Sequence, residues 1–174
     1  MRRAVYIAMA AITIDGKIAR HERHATDWTS PEDKRILQEQ LDSADVVVVG
    51  HHTFRVAEKQ LSKRNCIVLT RRIRKPREMD PKLTYINTNV TGLESYVERQ
   101  GYRRVAVLGG AQVYSYCLEQ GLIDEFYMTV EPLAFGEGVS LLSQQTKARF
   151  TLRSVQRLNK EGSILLHYTL GGQH

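Results

Sequence analysis

Aromatic residues are scarce in this chain. They make up 7% of its 174 residues, with a single tryptophan, Trp28. So thin a supply gives little material for the stacking platforms that hold single-stranded nucleic acids. Cysteine is scarcer, at Cys66 and Cys117 only. Their separation matches no zinc motif, and both lie among apolar neighbours. They read as two buried free thiols in a reducing compartment. Long apolar runs are missing too, since none reaches the ~18 residues of a membrane-spanning helix. Met1-Arg2-Arg3 and the apolar residues up to Ile14 have the outline of a short export signal. Asp15-Gly16-Lys17 interrupts it and no cleavage site precedes, so a first buried strand explains it better. The expectation is a cytoplasmic protein with no membrane segment. Repeats, linkers and low-complexity stretches are absent, which predicts one domain over residues 1–174.

What is present is ordinary in bulk and informative in order. Hydrophobic residues are 42% and charged residues 25% of the chain, with a net charge of +6. That balance suits a globular domain meeting an anionic ligand, either nucleic acid or a phosphorylated small molecule. Ala4 to Ile14 is nearly all apolar and predicts a central strand covered on both faces. Lys17 to Thr26 is polar and predicts a loop. Its His21 and His24 have no cysteine or carboxylate pair nearby, so they read as exposed and no metal site is expected.

Trp28 to Phe54 organises the rest. Ser30 suits an N-cap, Pro31 the first helical position, and Glu32 and Asp33 the positive helix end. Asp33, Leu37, Leu41 and Ala44 then share one helix face. Asp33 therefore has two readings. It either completes the helix cap or is a lone acid on the floor of a substrate cleft. Val46 to Val49 predicts a buried parallel strand, and Gly50-His51-His52-Thr53 a turn into a helix whose amides attract phosphate. Asn65 to Thr70 predicts another buried strand. Arg71 to Arg77 follows with five cationic residues, either a solvated loop or a reader of anions at a strand's carboxyl end.

Leu83 to Ile86 reads as a short strand, Leu93 and Val97 as a helix face ending at Gly101, and Arg104 to Leu108 as a buried strand. Gly109-Gly110 starts a second glycine junction into a helix that stops at Gly121. Phe126 to Val130 is a strand, Pro132 to Gly138 a loop, and Phe150–Leu158 with Ile164–Leu170 an antiparallel hairpin. Gly171 to His174 reads as a loose tail.

Several short pieces, in this order, resemble the dihydrofolate reductase superfamily, and within it the RibD C-terminal family of riboflavin-pathway reductase domains. They are Asp15-Gly16-Lys17-Ile18-Ala19, Trp28 to Asp33, Val49 to Thr53, Ile67 to Arg71, Leu108-Gly109-Gly110, and Leu122 to Glu125 followed by Pro132 and Gly136-Glu137-Gly138. The resemblance implies a dihydrofolate-reductase-like α/β fold, with a mostly parallel central sheet flanked by helices. It also implies an NADPH-dependent reductase.

By position, Gly50, His52 and Thr53 would meet the cofactor's phosphates, and Thr70 and Arg71 its adenosine and 2′-phosphate. Gly109, Gly110, Ala111, Gln112 and Val113 would cradle the pyrophosphate and approach the nicotinamide. Asp33 would be the catalytic carboxylate with Thr129 supporting it. Ala10, Trp28, Asp33 and Arg64 would meet substrate. His51 departs from the arginine common in dihydrofolate reductases. The Asp-Asp-Pro motif of the riboflavin-type relatives is replaced by Phe54-Arg55-Val56-Ala57-Glu58, and no deaminase domain accompanies the reductase part.

The implied substrate is a ribosylaminopyrimidine phosphate of the 5-amino-6-(5-phosphoribosylamino)uracil type, with a pterin as the alternative, and the implied assembly is a homodimer. A non-enzymatic nucleotide- or nucleic-acid-binding module using Arg71–Arg77 is the reading from a different class.

Overall fold

The computed structural model describes residues 3–170. The loose tail expected at the carboxyl terminus lies outside the described residues. Strands β1 (Val5–Thr13), β3 (Val46–Gly50), β4 (Cys66–Leu69), β6 (Leu83–Ile86), β7 (Arg104–Val107) and β8 (Ile123–Glu131) pair in parallel. Three strands join antiparallel at the margins: β5 (Arg77–Asp80), β10 (Phe150–Arg157) and β11 (Ile164–Leu170). The sheet order is β10-β11-β8-β1-β7-β3-β4-β6-β5. The nearly continuous apolar runs thus become central strands, as burial on both faces requires.

Among the described residues four helices cover the sheet: α1 (Pro31–Asp42), α2 (His51–Leu61), α3 (Leu93–Arg99) and α4 (Ala111–Glu119). The period of two along each strand divides the core. Val47 and Val49 pack with Leu41 of α1 and with Phe54 and Leu61 of α2. Val46 and Val48 face the other way, in one cluster with Leu93 and Val97 of α3 and with Tyr114 and Cys117 of α4. Each fully buried large apolar side chain contributes about 1.5–3 kcal/mol. Both thiols lie in these cores. Burial pushes Cys66 up to about 11 and Cys117 up to about 12.

The structure adds three short strands that the sequence pattern did not predict. Lys17–Ala19 forms β2, which pairs with Val139–Ser140, β9. Three residues are too few for a periodic signal, and the pairing partner is distant in sequence. Arg77–Asp80 forms the edge strand β5 although every residue in it is exposed. Charged residues on an edge strand discourage pairing with other chains, and they hide the strand from hydrophobic patterning.

Phe126 is the central side chain on the α4 face, fully buried between Tyr114 and Phe150 with ring centroids at 5.7 and 6.1 Å. Phe126→Ala is expected to destabilise the fold by about 3–5 kcal/mol in urea unfolding. Met79→Ala, at a side chain 51% exposed on the edge strand β5, should stay within about 0.5 kcal/mol of wild type. Equal effects would contradict this placement of the core.

Candidate active site

The carboxyl ends of β1, β3, β4 and β7 open into a cleft of about 800 Å³. Open parallel sheets bind ligands at this edge, where loops leave and helices begin. Helix α2 starts directly after Gly50 and α4 directly after Gly110, and neither has a side-chain cap. The first amides of both helices can therefore meet an anion.

The two glycine junctions touch. Gly50 N donates to Gly109 O at 2.7 Å, and Leu108 N donates to Val48 O at 2.9 Å. A Cβ on Gly50 would lie 3.2 Å from Val113 Cγ2, and one on Gly110 would lie 3.2 Å from Thr53 Oγ1. Gly109 has φ +80°, and the Tyr114 ring occupies the space a Cβ would need. Glycine at these positions keeps the junction narrow and its backbone open to the cleft.

Asp33 stands on the opposite wall. Ser30 Oγ accepts Asp33 N at 3.3 Å, so Ser30 supplies the cap of α1. The Asp33 side chain turns inward instead and is 9% exposed. It accepts hydrogen bonds from the hydroxyls of Thr129 on β8 and Thr29. Burial raises its proton affinity above the ordinary carboxylate value, and the two threonine hydrogen bonds oppose that rise. The nearby Glu131 charge adds to the rise and Lys34 works against it. The result is a buried acid in the cleft wall that holds its proton more tightly than a surface aspartate.

Most residues expected at a site come together here. Ala10, Asp33, Gly50, His52, Thr53, Thr70, Arg71, Gly110, Ala111, Gln112, Val113 and Thr129 all line the cleft. Gly109 lies immediately behind, as the carbonyl partner of Gly50. Two residues are not brought in. Arg64 precedes β4 at the other end of the strand and pairs with Asp42 at 2.6 Å. Its expected contact with substrate is corrected by that position. Trp28 packs edge-on against Phe135, with centroids 5.1 Å apart, and does not line the cleft.

Residues not individually expected at the site complete the walls. Tyr114 lines the cleft and donates to Met9 O at 2.5 Å. Thr29, Lys34 and Arg72 also line it. Thr29 and Lys34 flank motif residues and could have been read from α1 once Asp33 was placed inward. Ile18, Ala19, Val139 and Ser140, from the β2–β9 ribbon, roof one side.

A parallel sheet with two uncapped glycine-started helices and a buried acid in a shared cleft defines an α/β domain with a ligand-sized cleft at the carboxyl edge of its sheet. The chain belongs to the RibD C-terminal domain family, whose profile matches residues 4–163. It is 24% identical over 169 residues to the uncharacterised protein YwjB of Bacillus subtilis (strain 168), covering 91% of this chain and 93% of that one.

Among solved structures, a pyrimidine reductase-like protein from Corynebacterium diphtheriae aligns with TM-score 0.73 at 15% identity, over 98% of this chain and 93% of that one. The diaminohydroxyphosphoribosylaminopyrimidine deaminase/5-amino-6-(5-phosphoribosylamino)uracil reductase of Thermotoga maritima aligns with TM-score 0.75 at 18% identity. That match covers 97% of this chain and 57% of the longer protein. The fold is dihydrofolate-reductase-like.

The inward Asp33 has a thermodynamic signature. Its folded-state pKa is raised above the ordinary 3.8, so the native state binds this proton more tightly than the unfolded state. Stability from this group is full below the unfolded value and is lost as pH rises through the folded value. Asp33→Asn is therefore expected to raise Tm at pH 7, with the gain vanishing as pH falls below the ordinary carboxylate range. A variant that melts below wild type at pH 7 would contradict the buried-acid assignment.

Proposed function

We propose that this protein is an NADPH-dependent reductase acting on a ribosylaminopyrimidine phosphate of the 5-amino-6-(5-phosphoribosylamino)uracil type. The observation that carries the reading is the single buried acid, Asp33, sharing one cleft with two glycine-started helix ends.

The chain's residues fit a dinucleotide. The amides opening α2 and α4 suit a pyrophosphate, and the glycine junction leaves the backbone close enough to meet it. Thr70, Arg71 and Arg72, with Thr88 and Asn89, line the end of the cleft beyond β4. Guanidinium groups there suit a 2′-phosphate. The departure at His51 leaves that role to the arginines. Burial and then the charges of Arg72, His52 and Arg55 depress His51 below its ordinary value.

When bound, the nicotinamide supplies a hydride. Asp33 holds the proton that must accompany it, at a carboxyl oriented by Thr29 and Thr129. Ala10 and Leu108 supply apolar walls, and Tyr114, fixed to the β1 backbone, narrows the floor. The β2–β9 ribbon screens the acid side from water. Lys34, next to Asp33 on α1, is the lysine on the acid side and suits a substrate phosphate. The family match and the likeness to the Thermotoga maritima deaminase/reductase support this substrate class over a pterin.

The same reading takes the chain as a homodimer in a reducing cytoplasm. Leu152 and Val155 on β10, 49% and 57% exposed, are the apolar side chains a second copy would cover. Sedimentation velocity tests that assembly.

The decisive assay follows NADPH oxidation with 5-amino-6-(5-phosphoribosylamino)uracil and, separately, with dihydrofolate. Turnover of the first is expected; turnover of dihydrofolate alone would select the pterin reading, and turnover of neither would remove both substrates. Asp33→Asn should keep cofactor binding and lose on the order of a hundredfold or more in kcat. Arg71→Ala should weaken NADPH more than NADH, and equal losses would show that Arg71 does not read the 2′-phosphate.

A further inference from the structure

Glu131 ends β8 two residues beyond Thr129 and on the same face. It is 3% exposed, so its carboxylate needs partners. Oε1 accepts Ser30 N at 2.7 Å, and Oε2 accepts Ser163 Oγ in a short hydrogen bond. Ser163 is itself 1% exposed. Asn159 holds the arrangement from the β10–β11 turn. Its Oδ1 accepts Gly162 N and Ser163 N, each at 3.0 Å. Its Nδ2 donates to Ser163 Oγ at 3.0 Å and to Glu32 Oε2 at 3.2 Å. The start of α1 is therefore held at two points, the Ser30 amide by Glu131 of β8 and the Glu32 carboxylate by Asn159 of the hairpin turn. Asp33 is the next residue along.

We infer that Glu131 is a positioning residue for Asp33: its buried carboxylate, fixed by Ser163 and Asn159, seats the N-cap of α1 so that the Asp33 side chain meets Thr29 and Thr129 inside the cleft. Nothing in a plain helix cap requires this. Ser30 already caps α1 with its own hydroxyl, and a buried carboxylate placed only to bind one amide would cost more than it returned. Its second consequence is electrostatic. The negative charge of Glu131 favours the protonated form of Asp33. Lys34 on α1 also acts on Asp33 and Tyr114 on α4 feels its charge, while Tyr127 on β8, Glu22 and His24 line the same cleft. Glu131 is the one that both bonds the helix start and shifts the acid.

The inference rests on the reductase reading for its kinetic consequence but not for its first test. That test is a carboxyl-carbon NMR titration of Asp33 in the protein alone, for wild type and for Glu131→Gln. The glutamine keeps an acceptor for Ser30 N–H and an amide that can donate to Ser163 Oγ, so the fold is retained while the charge is lost. The Asp33 midpoint is expected to fall, and the Ser30 amide resonance to stay close to its wild-type position.

Glu131→Ala removes the acceptor as well. It should move the Ser30 amide resonance and, in the NADPH assay, lower kcat on the order of a hundredfold with little change in NADPH affinity, as a displaced catalytic group does. Glu131→Gln should recover most of that rate, with its pH profile displaced to lower pH. A Ser30 amide resonance and an Asp33 titration that both match wild type in Glu131→Ala would overturn the inference, because Asp33 would then be seated without Glu131. So would a Glu131→Ala protein that is less stable but has wild-type kcat. If Asp33→Asn itself keeps full activity, the reductase reading falls, while the Ser30 amide resonance and the Asp33 titration of Glu131→Ala still decide whether Glu131 seats Asp33.

Discussion

The hydrogen bond from Gly50 to the carbonyl of Gly109 is the contact on which the cleft depends. It exists because β7 inserts between β1 and β3, so the carboxyl ends of two strands far apart in sequence lie side by side. β3 ends on Gly50 and enters α2 at once, and β7 is followed by Leu108, Gly109 and Gly110 before α4 begins. The joint brings two positive helix ends to one place, each worth about 0.3–1 kcal/mol toward an anion. Side chains at these glycines would separate the strands or block the backbone. Parallel pairing, the glycines and the anion site are thus one constraint seen at three scales.

The acid side of the cleft follows from a different balance. Burying a carboxyl is unfavourable, and the fold offsets this with two threonine hydroxyls rather than with a salt bridge. Arginine beside Asp33 would hold it ionised. Threonines satisfy its oxygens and leave its proton affinity above that of a surface aspartate. The stability given up there is recovered in the two cores, where the β3 valines are shared between opposite helix layers.

Much of this was legible in the amino-acid order. The central strands announced themselves as unbroken apolar runs, and both glycine junctions stood at strand ends. Asp33 headed the apolar stripe of α1, yet the stripe alone left it as either cap or cleft acid. The Ser30 hydroxyl bond and the Thr129 contact decide its orientation, and Thr129 lies 96 positions away in the chain. Arg64 illustrates the opposite error. It precedes a strand, at the end away from the cleft, and Asp42 claims its charge. Strands β2 and β5 escaped detection because one is three residues long and the other has no buried face. Glu131 gave no sign at all, since its partners come from the start of α1 and the last hairpin turn.

The most direct test of the account is a calorimetric titration of the protein with NADPH and with NADH. The account predicts saturable binding of NADPH, with NADH clearly weaker because Arg71 and Arg72 lose the 2′-phosphate. Absence of binding by either nucleotide would contradict it, and would mean that the cleft between the two glycine junctions serves a different anion.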